Sequence, residues 1–204
     1  MSELTQELEG ISKLPADIQQ MELAALVSHE FSLEKVTLTV VGGAAVQFYT
    51  KAQYVTKDVD AILVNDSLEI VERVMGKLGF KRTTTYRHFE HPSFKFVFEF
   101  PPDPIEIGNR QISDVMELTF GPYKVRVVRV EDLIMDRIIA GVEWKSQDRM
   151  EQAKLLWSKN RKFIDKVYLR KFAEQEGYAK ELKRVMGTPI IGTKAPAKLR
   201  SKKK

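Results

Sequence analysis

The run VTLTVVGG at residues 36–43 constrains the fold more tightly than any other part of the chain. Its β-branched residues favour a strand, and two glycines end it. The next residues, AAVQFY, suit the first turns of a helix. A second apolar run, VDAILV at residues 59–64, reads as another strand, buried on both faces except at its start. Strand, Gly-Gly, helix and return strand together imply one corner of a sheet with a helix packed across it.

The rest of the chain builds around that unit. Residues 17–31 place Ile18, Met21, Leu23, Ala24, Ala25, Leu26 and Phe31 at helical spacing. Either Asp66 or Ser67 can cap a helix over LEIVERVMGKLGF that ends near Gly79. The middle is β-rich: KRTTTYRHF, FKFVFEF, VMELTF and YKVRVVRV cluster β-formers, with turn signals at PPDP and GPY. From Glu131 the pattern becomes helical, through EDLIMDRIIAGVEW, SQDRMEQAKLLWSKN, FIDKVYLRKFAEQEG and a shorter YAKELKRVM. The expected class is α+β, a mixed or antiparallel sheet with one early crossover helix and a helical C-terminal half. The expected division is a core with N-terminal helices over 1–130, a helical segment packed on it over 131–187, and a tail over 188–204.

Charge is distributed unevenly. The chain of 204 residues carries a net charge of +5, yet six Lys/Arg and no acid lie from Gly192 onward, so the remainder is near neutral at −1. That Pro/Ala/Lys tail has little to bury and is expected to be disordered. It would attract RNA or DNA phosphates non-specifically, or serve only as a solubilising terminus. With 43% hydrophobic and 30% charged residues the chain has the composition of a soluble globular protein. No apolar run approaches the roughly 20 residues that span a bilayer, and the first residues lack the layout of a signal peptide. Without cysteine there is no disulfide or thiolate zinc site, which makes the cytoplasm the default address. His29, His88 and His91 offer no zinc-like spacing.

Asp58 and Asp60 stand two apart in the second strand, so both carboxylates project from one face. Like charges so close repel unless a cation or base is present. Mg²⁺ prefers one or two carboxylates together with substrate phosphate oxygens, and a pair of such ions assists in-line attack on a phosphate. Gly42 and Gly43 sit where a helix begins, so backbone N–H groups there could cradle phosphate at close approach. A D-x-D pair or a Gly-Gly turn alone is weak; their combination is more specific.

Strand, GG, helix, T-x-D-x-D and apolar strand together resemble the signature of the nucleotidyltransferase superfamily. That pattern asks for a third carboxylate on a later strand. Glu99, in FKFVFEFPPDPIEIG, is the best match because a core strand does not hold an unpartnered charge; Glu106 and Glu117 are the alternatives. VEDLIMDRIIAGVEWKSQDRMEQAKLLW looks like a segment of small bacterial and archaeal nucleotidyltransferase-like proteins, including relatives of abortive-infection toxins. There the basic position is Arg137, where many toxin relatives carry Lys, followed here by Lys145 and Asp148. The resemblance covers about residues 36–186. It implies that Arg137 binds triphosphate, with Lys57 or Lys145 as helpers and Thr56 hydrogen-bonding near the metal site. Arg137 is equally readable as a base snorkelling from an amphipathic helix.

The function that the resemblance implies is Mg²⁺- or Mn²⁺-dependent transfer of a nucleoside monophosphate from an NTP such as ATP to an acceptor hydroxyl. RNA, especially a tRNA end, is the preferred acceptor, with a protein side chain or an antibiotic-type small molecule as alternatives. Two other classes remain: a catalytically lapsed member of the fold that binds nucleotide or nucleic acid, and an interaction protein in an antitoxin-like partnership.

Overall fold

A computed structural model of the protein describes residues 3–187. The basic tail anticipated over 188–204 lies outside the described residues. The chain runs α1 (Glu3–Ser12), α2 (Ala16–Leu33), β1 (Thr37–Val40), α3 (Gly42–Tyr49), β2 (Asp58–Val64) and α4 (Leu68–Lys77). The β-rich middle holds β3 (Lys81–Arg82), β4 (His88–Glu90), β5 (Val97–Glu99), β6 (Glu106–Ile107), β7 (Arg110–Gln111), β8 (Val115–Phe120) and β9 (Tyr123–Val128). Four helices close the described chain: α5 (Val130–Glu143), α6 (Gln147–Asn160), α7 (Lys166–Glu176) and α8 (Ala179–Met186).

Seven strands form one sheet in the order β3-β4-β5-β2-β1-β9-β8, and β6–β7 is a separate ribbon. β1 is antiparallel to β2 and parallel to β9, while β2 is parallel to β5. This mixed sheet with flanking helices and a helical C-terminal region is the α+β architecture expected. β1 and β2 occupy its middle, which is why both read as near-continuous apolar runs. Helix α2 packs on β1 and β9. Its central residues Leu23, Ala24, Ala25, Leu26 and Val27 are all buried. A helix apolar on every side belongs inside a core, and α2 also touches α1, α3 and α4.

The β-rich middle is more broken than its sequence suggests. KRTTTYRHF forms two short strands, because the chain turns back through Arg87 at a positive φ of 58°. In FKFVFEF only Val97–Glu99 pairs with neighbours. Phe94, Phe96, Phe98 and Phe100 are nonetheless buried, joined to Phe80 and Phe89 through ring contacts. Aromatic packing rather than ladder hydrogen bonding thus explains that apolar run.

Side-chain caps set the helix starts. Ser67 accepts from the Ile70 N–H at α4, and Ser146 from the Arg149 N–H at α6. Asp165 accepts from the Val167 and Tyr168 N–H groups, so α7 starts after FID rather than at its phenylalanine. The Asn160 side chain at the end of α6 donates to Tyr49 O at 3.1 Å and to Leu156 O at 2.8 Å.

Asp132, fully buried in the first turn of α5, accepts from the Tyr168 hydroxyl at 2.5 Å, while its Oδ2 has no hydrogen-bond partner among the described residues. Burial raises the carboxyl pKa, and the Tyr168 bond acts against that rise. The native state therefore holds this proton to higher pH than the unfolded chain. Stability falls as pH increases from the ordinary aspartate range through the raised value. Tyr168→Phe leaves a second carboxylate oxygen unpaired, an expected cost of about 1–3 kcal/mol. It also lifts the pKa further, so urea melts are expected to show a larger loss at pH 7.5 than at pH 4.5. An equal loss at both pH values would place the cost in packing alone.

Candidate active site

The Gly-Gly corner is built against Asp60. Gly42 adopts φ +58°, and a Cβ there would stand 2.0 Å from Asp60 Oδ2. Both the left-handed backbone and the contact demand glycine. The Gly43 N–H, at the start of α3, donates to Asp60 Oδ2 at 3.0 Å. One amide that the sequence offered to phosphate is thus engaged by a carboxylate, which a helix N-terminus favours. A Cβ on Gly43 would meet Thr56 Oγ1 at 2.8 Å, so Thr56 packs directly on the turn. Its hydroxyl also accepts from the Asp58 N–H at 3.3 Å, which ties the turn to the start of β2.

Strand register places the acids. Along β2, Asp58 is exposed, Val59 buried and Asp60 half-buried, so both aspartates share the face that Val59 avoids. On the parallel neighbour β5, Glu99 is the Cα partner of Asp60 and Val97 that of Asp58. Glu99 therefore lies beside Asp60 on the same face. Its Oε1 is 3.3 Å from Nε2 of His88, its Cα partner on β4. Glu106 lies in the β6 ribbon and Glu117 on β8, where it pairs with Lys124 at 2.6 Å. Since β1 and β9 separate β8 from β2, Glu117 stands far from the aspartates in the sheet order. Lys57 has an exposed side chain, and its carbonyl accepts from the Val97 N–H at 3.0 Å, stitching β5 to the start of β2.

A cleft of about 480 Å³ opens at this corner. It is lined by Gly42 and Asp60 and by the Pro101, Pro102, Pro104 and Ile105 segment. From α5 and its C-terminal cap the cleft is lined by Leu133, Asp136, Arg137 and Trp144, which share one helix face. Arg137 is only 4% exposed. Its Nη1 lies 3.3 Å from Asp136 Oδ2, while Nε and Nη2 have no hydrogen-bond partner among the described residues. Burial lowers its pKa. Asp136 keeps 35% of its side chain exposed. Burial by the surrounding protein nevertheless raises its carboxyl pKa, partly offset by Arg137 and Arg149. Lys145 is exposed at the turn from α5 to α6 with φ +51°, and Asp148 accepts from Gln152 within α6.

Among the described residues no three His, Asp or Glu side chains gather closely enough to share a metal ion. The donor chemistry nevertheless suits a hard cation. Asp58 and Asp60 are oxygen ligands on one face, and Mg²⁺ takes one or two carboxylates with the remaining oxygens from phosphate and water. The absence of a side chain at Gly42 leaves room for the Asp60 carboxylate itself, which also lines the cleft. The residues fit a Mg²⁺–triphosphate pair better than a resident all-protein metal site.

Three participants at this corner carry weak sequence signals. His88 faces Glu99 only through β4–β5 pairing, Asp136 sits beside the basic residue singled out, and Trp144 resembles any helix-end aromatic. The i, i+7 spacing of Arg137 and Trp144 was the one available clue to a shared face.

No protein-family model and no curated protein sequence matches the chain. Solved structures do share its architecture. An antigenic nucleotidyltransferase-like protein from Paracoccidioides brasiliensis superposes with a TM-score of 0.55 at 12% identity, over 84% of this chain and 93% of its own. The fold is nucleotidyltransferase-like. A second neighbour, the antibiotic-resistance factor ANT(2'')-Ia, gives a TM-score of 0.51 at 13% identity, over 83% of this chain and 98% of its own.

Proposed function

We propose that the protein transfers a nucleoside monophosphate from an NTP to an acceptor hydroxyl, at the cleft between the Gly42–Gly43 corner and α5. The observation that carries this reading is the guanidinium of Arg137. A buried cation with two unpaired donor nitrogens costs stability, and it lines the same cleft as Asp60. A triphosphate would satisfy those donors.

In this reading the acceptor oxygen bonds to the α-phosphorus, the bond from that phosphorus to the bridging oxygen breaks, and pyrophosphate leaves. The hydroxyl proton passes to Glu99. Asp58 and Asp60 hold Mg²⁺ or Mn²⁺, which when bound offsets negative charge on the phosphates. Gly42 makes room for the Asp60 carboxylate, Thr56 fixes the turn, and Arg137 takes non-bridging oxygens. Lys57 and Lys145 add cationic charge from exposed positions. The protein contributes positioning and preorganised charge more than covalent chemistry.

RNA is the acceptor class we favour. Lys159, Lys162, Lys166, Arg170 and Lys171 are exposed on α6, α7 and the turn between them, which also carries a Phe163 that is 86% exposed. Cations interleaved with an aromatic suit single-stranded nucleic acid. An antibiotic-type small molecule is the competing acceptor, since one structural neighbour is an antibiotic-resistance factor. A lapsed enzyme that only binds nucleotide is the second reading, favoured by the contact of Glu99 with His88. Incubation with α-³²P-labelled NTP, Mg²⁺ and either total RNA or aminoglycosides tests these readings. Label on RNA supports the proposal, label on the small molecule changes the acceptor, and binding without transfer indicates the lapsed enzyme.

Arg137→Met offers a separate check. It preserves bulk while removing a buried charge with unpaired donors, so the melting temperature is expected to hold or rise. The KM for NTP is expected to rise about 10- to 100-fold, the worth of a charge-assisted contact. A fall in stability with unchanged KM would make Arg137 a structural residue.

A further inference from the structure

Trp144 is the exposed aromatic of the cleft, and the chemistry above does not use it. It caps the C-terminal end of α5, is 70% exposed and lines the cleft that holds Gly42 and Asp60. The Arg149 guanidinium lies 6.0 Å from its ring centroid and backs one face of the indole. Seven residues, about two turns or 10 Å along the helix axis, separate it from Arg137 on the same face. The same cleft is lined by Pro101, Pro102, Pro104 and Ile105, an apolar and conformationally stiff stretch. Scattered exposed apolar residues need no explanation, but an exposed indole that lines one cleft with three prolines, two turns beyond a buried guanidinium whose Nε and Nη2 have no partner among the described residues, calls for one.

We propose that Trp144 is the base-stacking residue of the NTP site, with the nucleobase held between the indole and the Pro101–Pro104 stretch while Arg137 engages the phosphates. This rests on the reading of the cleft as an NTP site. The order along α5 follows the order within a nucleotide: phosphates at the Arg137 turn and base at the helix end, with ribose spanning the two turns between. Stacking tolerates any base because each presents a π face, so the site selects for a nucleobase without reading its edges.

Two tryptophans make the test direct. Trp157 is 5% exposed and donates from Nε1 to Met186 O, so it supplies a buried reference emission. Titrating the full chain with ATP and Mg²⁺ is expected to quench the exposed Trp144 emission, whereas inorganic tripolyphosphate with Mg²⁺ is expected to leave it unchanged. Trp144→Phe is expected to abolish the quenching while keeping the ATP Kd within a few-fold. Trp144→Ala is expected to raise that Kd about tenfold, a typical loss for one stacked base. Melting curves with ATP and Mg²⁺ separate the two levels of the argument. Stabilisation without quenching, equal quenching by tripolyphosphate, or an unchanged Kd in Trp144→Ala overturns the stacking assignment and leaves the NTP site standing. No stabilisation by any NTP overturns both.

Discussion

Asp58→Ala combined with Asp60→Ala is expected to reduce nucleotidyl transfer by about 10³-fold or more, the scale set by several kcal/mol of lost electrostatic stabilisation in the transition state. Stabilisation of the protein by NTP with Mg²⁺ is expected to vanish with it. The fold itself loses little. Asp58 is exposed at the start of β2, and Asp60 contributes one bond to the Gly43 N–H, worth about 1 kcal/mol at a helix N-terminus. Measured together, initial rates, Mg²⁺-dependent thermal shifts and urea melts distinguish a lost site from a lost fold. Retention of transfer in the double variant would move the chemistry away from this corner altogether.

Gly42→Ala is expected to produce the second largest effect, with a different signature. The added methyl falls 2.0 Å from Asp60 Oδ2 and 2.9 Å from Asp60 Cβ, so the carboxylate must leave its place on the Gly43 N–H. The residue must also hold φ +58°, which costs roughly 1–2 kcal/mol for a residue with a Cβ. Loss of the cap adds about 1 kcal/mol, for a total destabilisation of about 2–3 kcal/mol. Transfer activity falls as well, because the displaced group is a candidate metal ligand. In an Asp60→Gly background the clash disappears and only the backbone cost remains. The two substitutions are therefore expected to be non-additive in urea melts, with Gly42→Ala costing less in the second background. Strict additivity would show that Asp60 is not what fills the space over Gly42.

Much of this corner was legible because its signals are local. Period-two spacing puts Asp58 and Asp60 on one face of a strand whatever the rest of the chain does, and Gly-Gly after a β-branched run marks a strand-to-helix turn. Ser67 and Gly79 bound their helix for equally local reasons. What escaped depends on partners distant in sequence. KRTTTYRHF looks like one strand, and only the turn through Arg87, whose guanidinium pairs with Asp66, shows why it splits. The PPDP segment signals a turn but not the β6–β7 ribbon, nor that its prolines line one cleft with residues of α5. His88 meets Glu99 only because two short strands pair. Glu99 could be preferred over Glu106 and Glu117 from its apolar flanks, yet its position beside Asp60 is a matter of parallel register that no local pattern encodes.

Helix α3 has one end in each half of the molecule. Its first turn holds the amide that meets Asp60, and the carbonyl of its last residue, Tyr49, takes the side chain of Asn160 from the end of α6. Eight residues, about 12 Å of helix, thus tie the Gly42–Gly43 corner to the C-terminal helices. Those helices cannot be treated as an interchangeable module for redirecting the protein to a new acceptor. A graft that discards the Asn160 contact also loosens the far end of the rod on which the corner is mounted.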